Sequence, residues 1–168
     1  GKAAYEYIEK AVDYAMQRKV HAIVTAPLNK EALNLGGVHC PGHTEILGAL
    51  MGQKDFSMML TSPKLRVIHV STHVAISRVP ALVKKERISK VIDLAYDALR
   101  LMGIKEPRIA VAGLNPHCGE GGLFGTEDQT EIVPAVEQAR RKGYNVTGPL
   151  PPDSVFHRAA NLNEFDIV

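Results

Sequence analysis

The stretch NPHCGEGGLFGTE, Asn115 to Glu127, gathers a histidine, a cysteine, two acids and four glycines. Three jobs suit that composition: cradling a phosphate, binding a metal, or turning a strand into a helix. A Walker loop needs Gly-Lys-Ser/Thr, and Gly125-Thr126-Glu127 offers an acid and no lysine. The dinucleotide fingerprint G-x-G-x-x-G fits Gly119 and Gly121, but Phe124 takes the third glycine position and Gly125 comes one residue late. The acid expected about 20 residues further on is also missing, since 138–142 reads Gln-Ala-Arg-Arg-Lys. Backbone N–H groups ahead of a helix still suit an anion.

A catalytic divalent cation keeps a few protein donors and an open position, and neutral imidazole is a frequent donor. Of the seven histidines, His73 and His117 each follow an apolar strand, where a sheet would present them to one cleft. By pattern alone each is either a metal ligand or a hydrogen-bonding loop residue. His21, His69 and His157 read as structural or surface groups. In PGHTE (41–45), Thr44 can cap a helix and Glu45 complement its dipole after a turn at Pro41, or His43 and Thr44 can face a hydroxylated or anionic ligand. Asp153, in GPLPPDSVF, is an N-cap, or a group that orients a histidine or accepts a proton. Cys118 beside His117 has the makings of a nucleophile and base, but adjacent residues in an extended loop point apart.

The elements that must position these groups are readable from periodicity. Tyr5, Ile8, Val12, Ala15 and Met16 mark a helix, and HAIVTAP (21–27) reads as a buried strand. Short helices are expected at NKEALNLGG, closed by Gly36, and from His43 to Gly52. SMMLT (57–61) and LRVIHVST (65–72), joined by Ser62-Pro63-Lys64, predict an antiparallel pair. A helix at 86–102 buries Ile88, Val91, Ile92, Ala95 and Leu99, and a strand follows at 108–114. Thr126 with Gln129 reads as a capping box opening a helix that runs to Gly143. YNVTGP and FDIV supply the last strands. Strands alternating with helices predict one layered α/β region over 1–168, with a mixed sheet and ligand loops beyond the strands' carboxyl ends.

Composition narrows the function. The chain is 45% hydrophobic and 23% charged, with net charge +2 and no basic run, which argues against nucleic acid. Two distant cysteines form no disulfide framework or thiol zinc site, consistent with a cytoplasmic protein. No apolar run reaches the ~18 residues of a membrane helix. Neither end reads as a natural terminus, so the chain is expected to be the central part of a longer protein.

Taken together, PGHTE, STH after a strand, GLNPHCGEGGLFGTE and GPLPPDSVF, in this order, resemble the 4-hydroxythreonine-4-phosphate dehydrogenase family of pyridoxal phosphate biosynthesis. The resemblance covers nearly the whole chain. It implies an isocitrate/isopropylmalate-dehydrogenase-like fold and a homodimer with its active site at the interface. It also implies NAD (or NADP) and a divalent metal (zinc, magnesium or cobalt). His73 and His117 would be metal ligands, His43 and Thr44 substrate contacts, and Asp153 an acidic catalytic residue. The C3 hydroxyl of 4-phosphohydroxy-L-threonine would be oxidised, with decarboxylation following.

Some positions depart from the family pattern. Ser77 stands where arginine is common, with Arg78 one later. Cys118 replaces a usual alanine, and Cys40 takes a position often aromatic or small. The family's third metal histidine lies in a YHDQG segment expected after FDIV, so these 168 residues alone are expected not to turn over substrate. Paralogues acting on D-threonate or D-erythronate 4-phosphate share these motifs. Two further readings stand beside the dehydrogenase: a non-catalytic metal- or phosphate-binding remnant of the fold, and acyl transfer of the phosphate acetyltransferase kind.

Overall fold

A computed structural model describes residues 1–40 and 42–168. The turn expected at Pro41 lies outside the described residues. The backbone divides into two compact units, Gly1–Phe56 and Ser57–Val168.

The first unit holds three helices: α1 (Lys2–Met16), α2 (Lys30–Leu35) and α3 (His43–Leu50). Ile8 and Val12, one turn apart on α1, meet Leu33 and Ile46 in a small core. Asn29 caps α2, its side chain accepting from the Ala32 amide at 2.8 Å. The strand expected at HAIVTAP is not formed. The segment is irregular, with Ile23 packed on the core while Val24 is 96% exposed. A strand exists only through a ladder to a neighbour, and among the described residues of this unit no strand is available to pair with it.

The second unit carries the sheet. β1 (Met59–Thr61) pairs antiparallel with β2 (Arg66–Ile68), and β3 (Arg108–Ala112) pairs parallel with β4 (Asn145–Leu150). Residues 166–168 lie between the two pairs. Ile167 bridges Ile109 in parallel, with Ala110 donating to the Ile167 carbonyl at 2.9 Å. On the other side, Val168 donates to Arg66 and accepts from Ile68, at 3.0 and 2.9 Å. Reaching two different residues of β2 is the slanted pattern of a parallel pair. Everything except β1 therefore runs in one direction.

Helices cover both faces. The remaining helices are α4 (Val79–Leu82), α5 (Lys85–Leu101), α6 (Val133–Arg141) and α7 (Pro152–Leu162). Ile109, Val146 and Ile167 pack with Ile92, Leu99 and Val136 of α5 and α6. The alternate residues Ala110 and Val168 pack with Val155 and Ala159 of α7. This alternation makes the layered α/β architecture expected from the sequence. Two local starts differ from expectation. The turn before α6, Asp128–Ile132, is π-helical, so the Thr126 capping box does not form; the Thr126 carbonyl accepts from the Gln129 and Thr130 amides instead. The start of α5 is closed by Glu131 of that turn, whose carboxylate accepts from the Lys85 amide at 2.9 Å and pairs with Lys84 at 3.0 Å.

One ion pair fixes the middle of the sheet. Asp166 accepts from the Arg108 amide (2.8 Å) and from its guanidinium at Nε (3.1 Å) and Nη2 (2.9 Å). Burial pushes the Asp166 carboxyl up, but the Arg108 bonds outweigh it and hold the group below the usual carboxylate range. Its stabilisation is thus fully present above the unfolded value of about 4 and is lost as pH falls through the lower folded value. Asp166→Asn is expected to destabilise the protein by roughly 1–3 kcal/mol at neutral pH. In urea titrations across pH, the gap from wild type should close only below about pH 4.

Candidate functional site

Because β2, β3 and β4 run the same way, the loops leaving their carboxyl ends gather at one edge of the sheet. His73 lies in the loop after β2, His117 in the loop after β3, and Asp153 just after β4. His73 is exposed and holds a left-handed backbone, φ 54°. A cavity of about 270 Å³ with largely apolar walls lies between the sheet and the Ile88, Ile92 and Ala95 face of α5, and reaches His69 and Ser71 after β2 and Gly113 and Leu114 after β3.

The His117 loop is unusual in its backbone. Cys118 to Gly122 all have positive φ (52°, 73°, 41°, 69° and 105°), forming a left-handed turn. Glycine accepts that conformation, whereas Cys118 and Glu120 are strained by it. Asn115 supports the loop from within: its Oδ1 accepts from the amides of His117 (3.1 Å) and Gly119 (3.0 Å), and its Nδ2 donates to the Phe124 carbonyl (3.2 Å). The His117 side chain is 61% exposed, with Nδ1 3.5 Å from Glu120 Oε1 and its ring tilted against Phe124 at 6.5 Å. The imidazole is therefore reachable by a ligand.

The surroundings of Cys118 do not activate its thiol. Burial, then the Asp128 charge, push its thiol up, opposite to the shift a reactive thiolate needs. Asp128 itself is missing from the sequence reading. It is 3% exposed and accepts from the Leu114 amide at 3.2 Å. Burial raises its carboxyl above the usual range, against the lowering effect of that amide. The only sequence signal was an acid following Gly125-Thr126-Glu127, which reads equally well as a dipole complement.

The helix-start expectations need adjustment at two candidates. Asp153 is not an N-cap. Pro151 caps α7 and Pro152 begins it, its ring presetting helical φ, so Asp153 falls in the first turn, exposed and placed to complement the dipole. Thr44 is not a cap either, because Gly42 caps α3 and His43 opens it. Within the first unit, His43 lines a groove of about 190 Å³ together with Tyr7, Thr25 and Pro27. His69 is structural: its Nδ1 meets the Met58 carbonyl at 3.1 Å and its own carbonyl accepts from Ser57. His157 pairs with Asn161 at 3.0 Å, and His21 is exposed.

Imidazoles with free faces suit a borderline cation such as zinc or cobalt. Two of them are an incomplete set, and among the described residues no group of three or more His, Cys, Asp or Glu stands together to hold a metal. Asn115→Ala tests the loop's internal support. Removing the shared acceptor is expected to speed hydrogen exchange at His117 and Gly119 about fivefold or more, taking roughly 1 kcal/mol per lost bond. Exchange in α5 should be unchanged.

The same arrangement of loops on a layered sheet occurs in known proteins. A solved structure titled 4-hydroxythreonine-4-phosphate dehydrogenase, from Burkholderia phymatum, superposes with TM-score 0.88 at 48% identity, over 99% of this chain and 51% of that one. The protein named putative D-threonate 4-phosphate dehydrogenase in Oceanobacillus iheyensis is 54% identical over 100% of this chain and 51% of its own length. The D-threonate 4-phosphate dehydrogenase of Cupriavidus necator is 48% identical over 100% and 50%. This chain thus spans about half the length of the curated relatives it matches. The family described as pyridoxal phosphate biosynthetic protein PdxA matches residues 1–168 throughout, and with this fold, these loops and these relatives the chain belongs to that family.

Proposed function

We propose that the full-length protein oxidises a phosphorylated hydroxy acid by hydride transfer to NAD (or NADP), with His73 and His117 as two ligands of a divalent metal. One observation carries this reading: the loops of both histidines leave the same edge of the sheet, from the two strands flanking residues 166–168. The parallel run of that segment leads toward the same edge, where the resemblance expects the third histidine. When bound, the cation lowers the pKa of a substrate hydroxyl and NAD takes up the hydride.

The chain's own residues orient and discriminate. The imidazoles of His73 and His117 donate to the cation, and the Asn115 clamp keeps the second one in place. Asp153, at the same edge, accepts or holds the proton of the substrate hydroxyl. His43 and Thr44, at the start of α3, contact substrate. The assembly is a homodimer whose site is completed at the interface.

For the substrate, D-threonate 4-phosphate is favoured over 4-phosphohydroxy-L-threonine. Support comes from the names of the curated relatives in Oceanobacillus iheyensis and Cupriavidus necator. A substrate panel on the full-length protein, following NADH absorbance with metal present, should show higher kcat/KM on D-threonate 4-phosphate. Inactivity on both compounds would reject the dehydrogenase reading. His73→Ala and His117→Ala should each lower metal affinity by more than the roughly 100-fold that outer-shell changes cost.

A further inference from the structure

The buried carboxylate of Asp128 is used by none of the steps above, and its placement is specific. Its Oδ1 accepts from the Leu114 amide, where β3 gives way to the His117 loop. Its other oxygen faces the far side of the same loop: a Cβ built on Gly119 would lie 3.6 Å from Oδ2 and 2.9 Å from the Gly125 carbonyl. Gly113 is equally confined, since a Cβ there would come within 2.5 Å of Cys118 Sγ and 2.8 Å of Asp128 Oδ1. Asp128 therefore bonds the loop before His117 and lines the space left free by Gly119 after it. The π-helical turn that begins at Asp128 is the second unusual feature at this point. A wide turn adds a residue relative to an α-helix, changing the angle between Asp128 and the core face of α6 that carries Ala135, Val136 and Ala139.

Burying a carboxylate is unfavourable unless it is bonded, and an apolar side chain would fill the space more cheaply. A residue kept there against that tendency needs a reason beyond packing. We propose that Asp128 is a positioning residue, which fixes the left-handed turn of residues 118–122 from beneath and so sets the direction of His117. Asn115 ties the loop to itself; Asp128 ties it to the body of the protein. The inference rests on the reading of His117 as a metal ligand, but its structural half can be read without metal.

The test uses the full-length protein and Asp128→Asn, which keeps the volume and one acceptor, with Asp128→Ala as the stronger change. Hydrogen exchange over residues 113–125 and the rate of Cys118 alkylation, both read by peptide mass, report the loop. Cobalt(II) titration, by calorimetry and by the cobalt absorption bands, reports the ligand geometry. Asp128→Ala is expected to speed exchange and alkylation in the loop about tenfold while α5 and α7 keep their protection, and Asp128→Asn, which keeps an acceptor for the Leu114 amide, to do so less. Cobalt affinity should fall by about 10–100-fold, as for groups that orient a ligand, with altered absorption bands. A loop that exchanges as in wild type would overturn the proposal, as would faster exchange spread evenly through α5 and α7, the mark of a merely structural role. Unchanged cobalt binding in Asp128→Ala, with His117→Ala deficient, would overturn it too. If His117→Ala itself binds cobalt normally, the metal reading fails, and the local exchange result alone upholds or sinks the positioning role.

Discussion

Asp166, Ile167 and Val168 are hydrogen-bonded on both sides, to Arg66 and Ile68 in one direction and to Arg108 and Ala110 in the other. Without them the antiparallel pair β1–β2 and the parallel pair β3–β4 would share no ladder. Their position is set by charge as well as backbone. Arg108 holds Asp166 through three bonds and reaches the Asn163 carbonyl at 2.7 Å. On the approach, Arg158 grips Glu164 at 2.9 and 2.6 Å and lies over the Phe165 ring, 5.2 Å from its centroid. Asn163 ends α7 in the left-handed conformation that turns the chain back. The path from α7 into the sheet is thereby determined residue by residue.

That placement has a functional consequence. A segment parallel to its neighbours forces the loops after β2, β3 and β4 to one edge, and polar residues in those loops can then act on a single ligand. Had residues 166–168 entered antiparallel, the ladder would be equally satisfied, but whatever follows them would be led away from His73 and His117. Sheet direction, more than any one side chain, decides which groups can meet. The side chains then supply chemistry that the layered fold by itself does not specify.

Much of this architecture was legible in the sequence, for reasons that can be traced. The stripe Ile88, Val91, Ile92, Ala95 and Leu99 repeats at helical spacing and forms the buried face of α5. The short Ser62-Pro63-Lys64 connection permits only an antiparallel neighbour, as found. Where the reading failed, tertiary context was deciding. HAIVTAP has the composition of a strand, yet strand formation needs a partner that composition does not provide. Thr126 and Gln129 have capping-box spacing, but the wide turn at Asp128 breaks the α-helical geometry that the box assumes. The burial of Asp128 and the left-handed backbone of His73 leave no local trace, since both arise from what surrounds them. The motifs around His73 and His117 pointed to the two candidate loops; the internal supports of those loops were not readable from spacing.

The distribution of strain bears on what the site requires. In the second unit the non-glycine residues with positive φ are His73, Cys118, Glu120 and Asn163. Asn163 is explained by its cap, and asparagine tolerates the conformation well. The other three lie at or beside the two candidate ligands. Each such residue costs on the order of 1–3 kcal/mol and persists only where its surroundings over-determine it. In the β3 loop those surroundings are visible: Asn115 binds amides on both sides of Cys118, and Asp128 holds the loop's root. A loop whose only task was to join β3 to α6 would have no use for strain secured in this way. Strain held by a buried carboxylate is intelligible if the direction of one exposed imidazole matters, because a relaxed loop would leave His117 free to sample orientations in which a shared ligand could not be held.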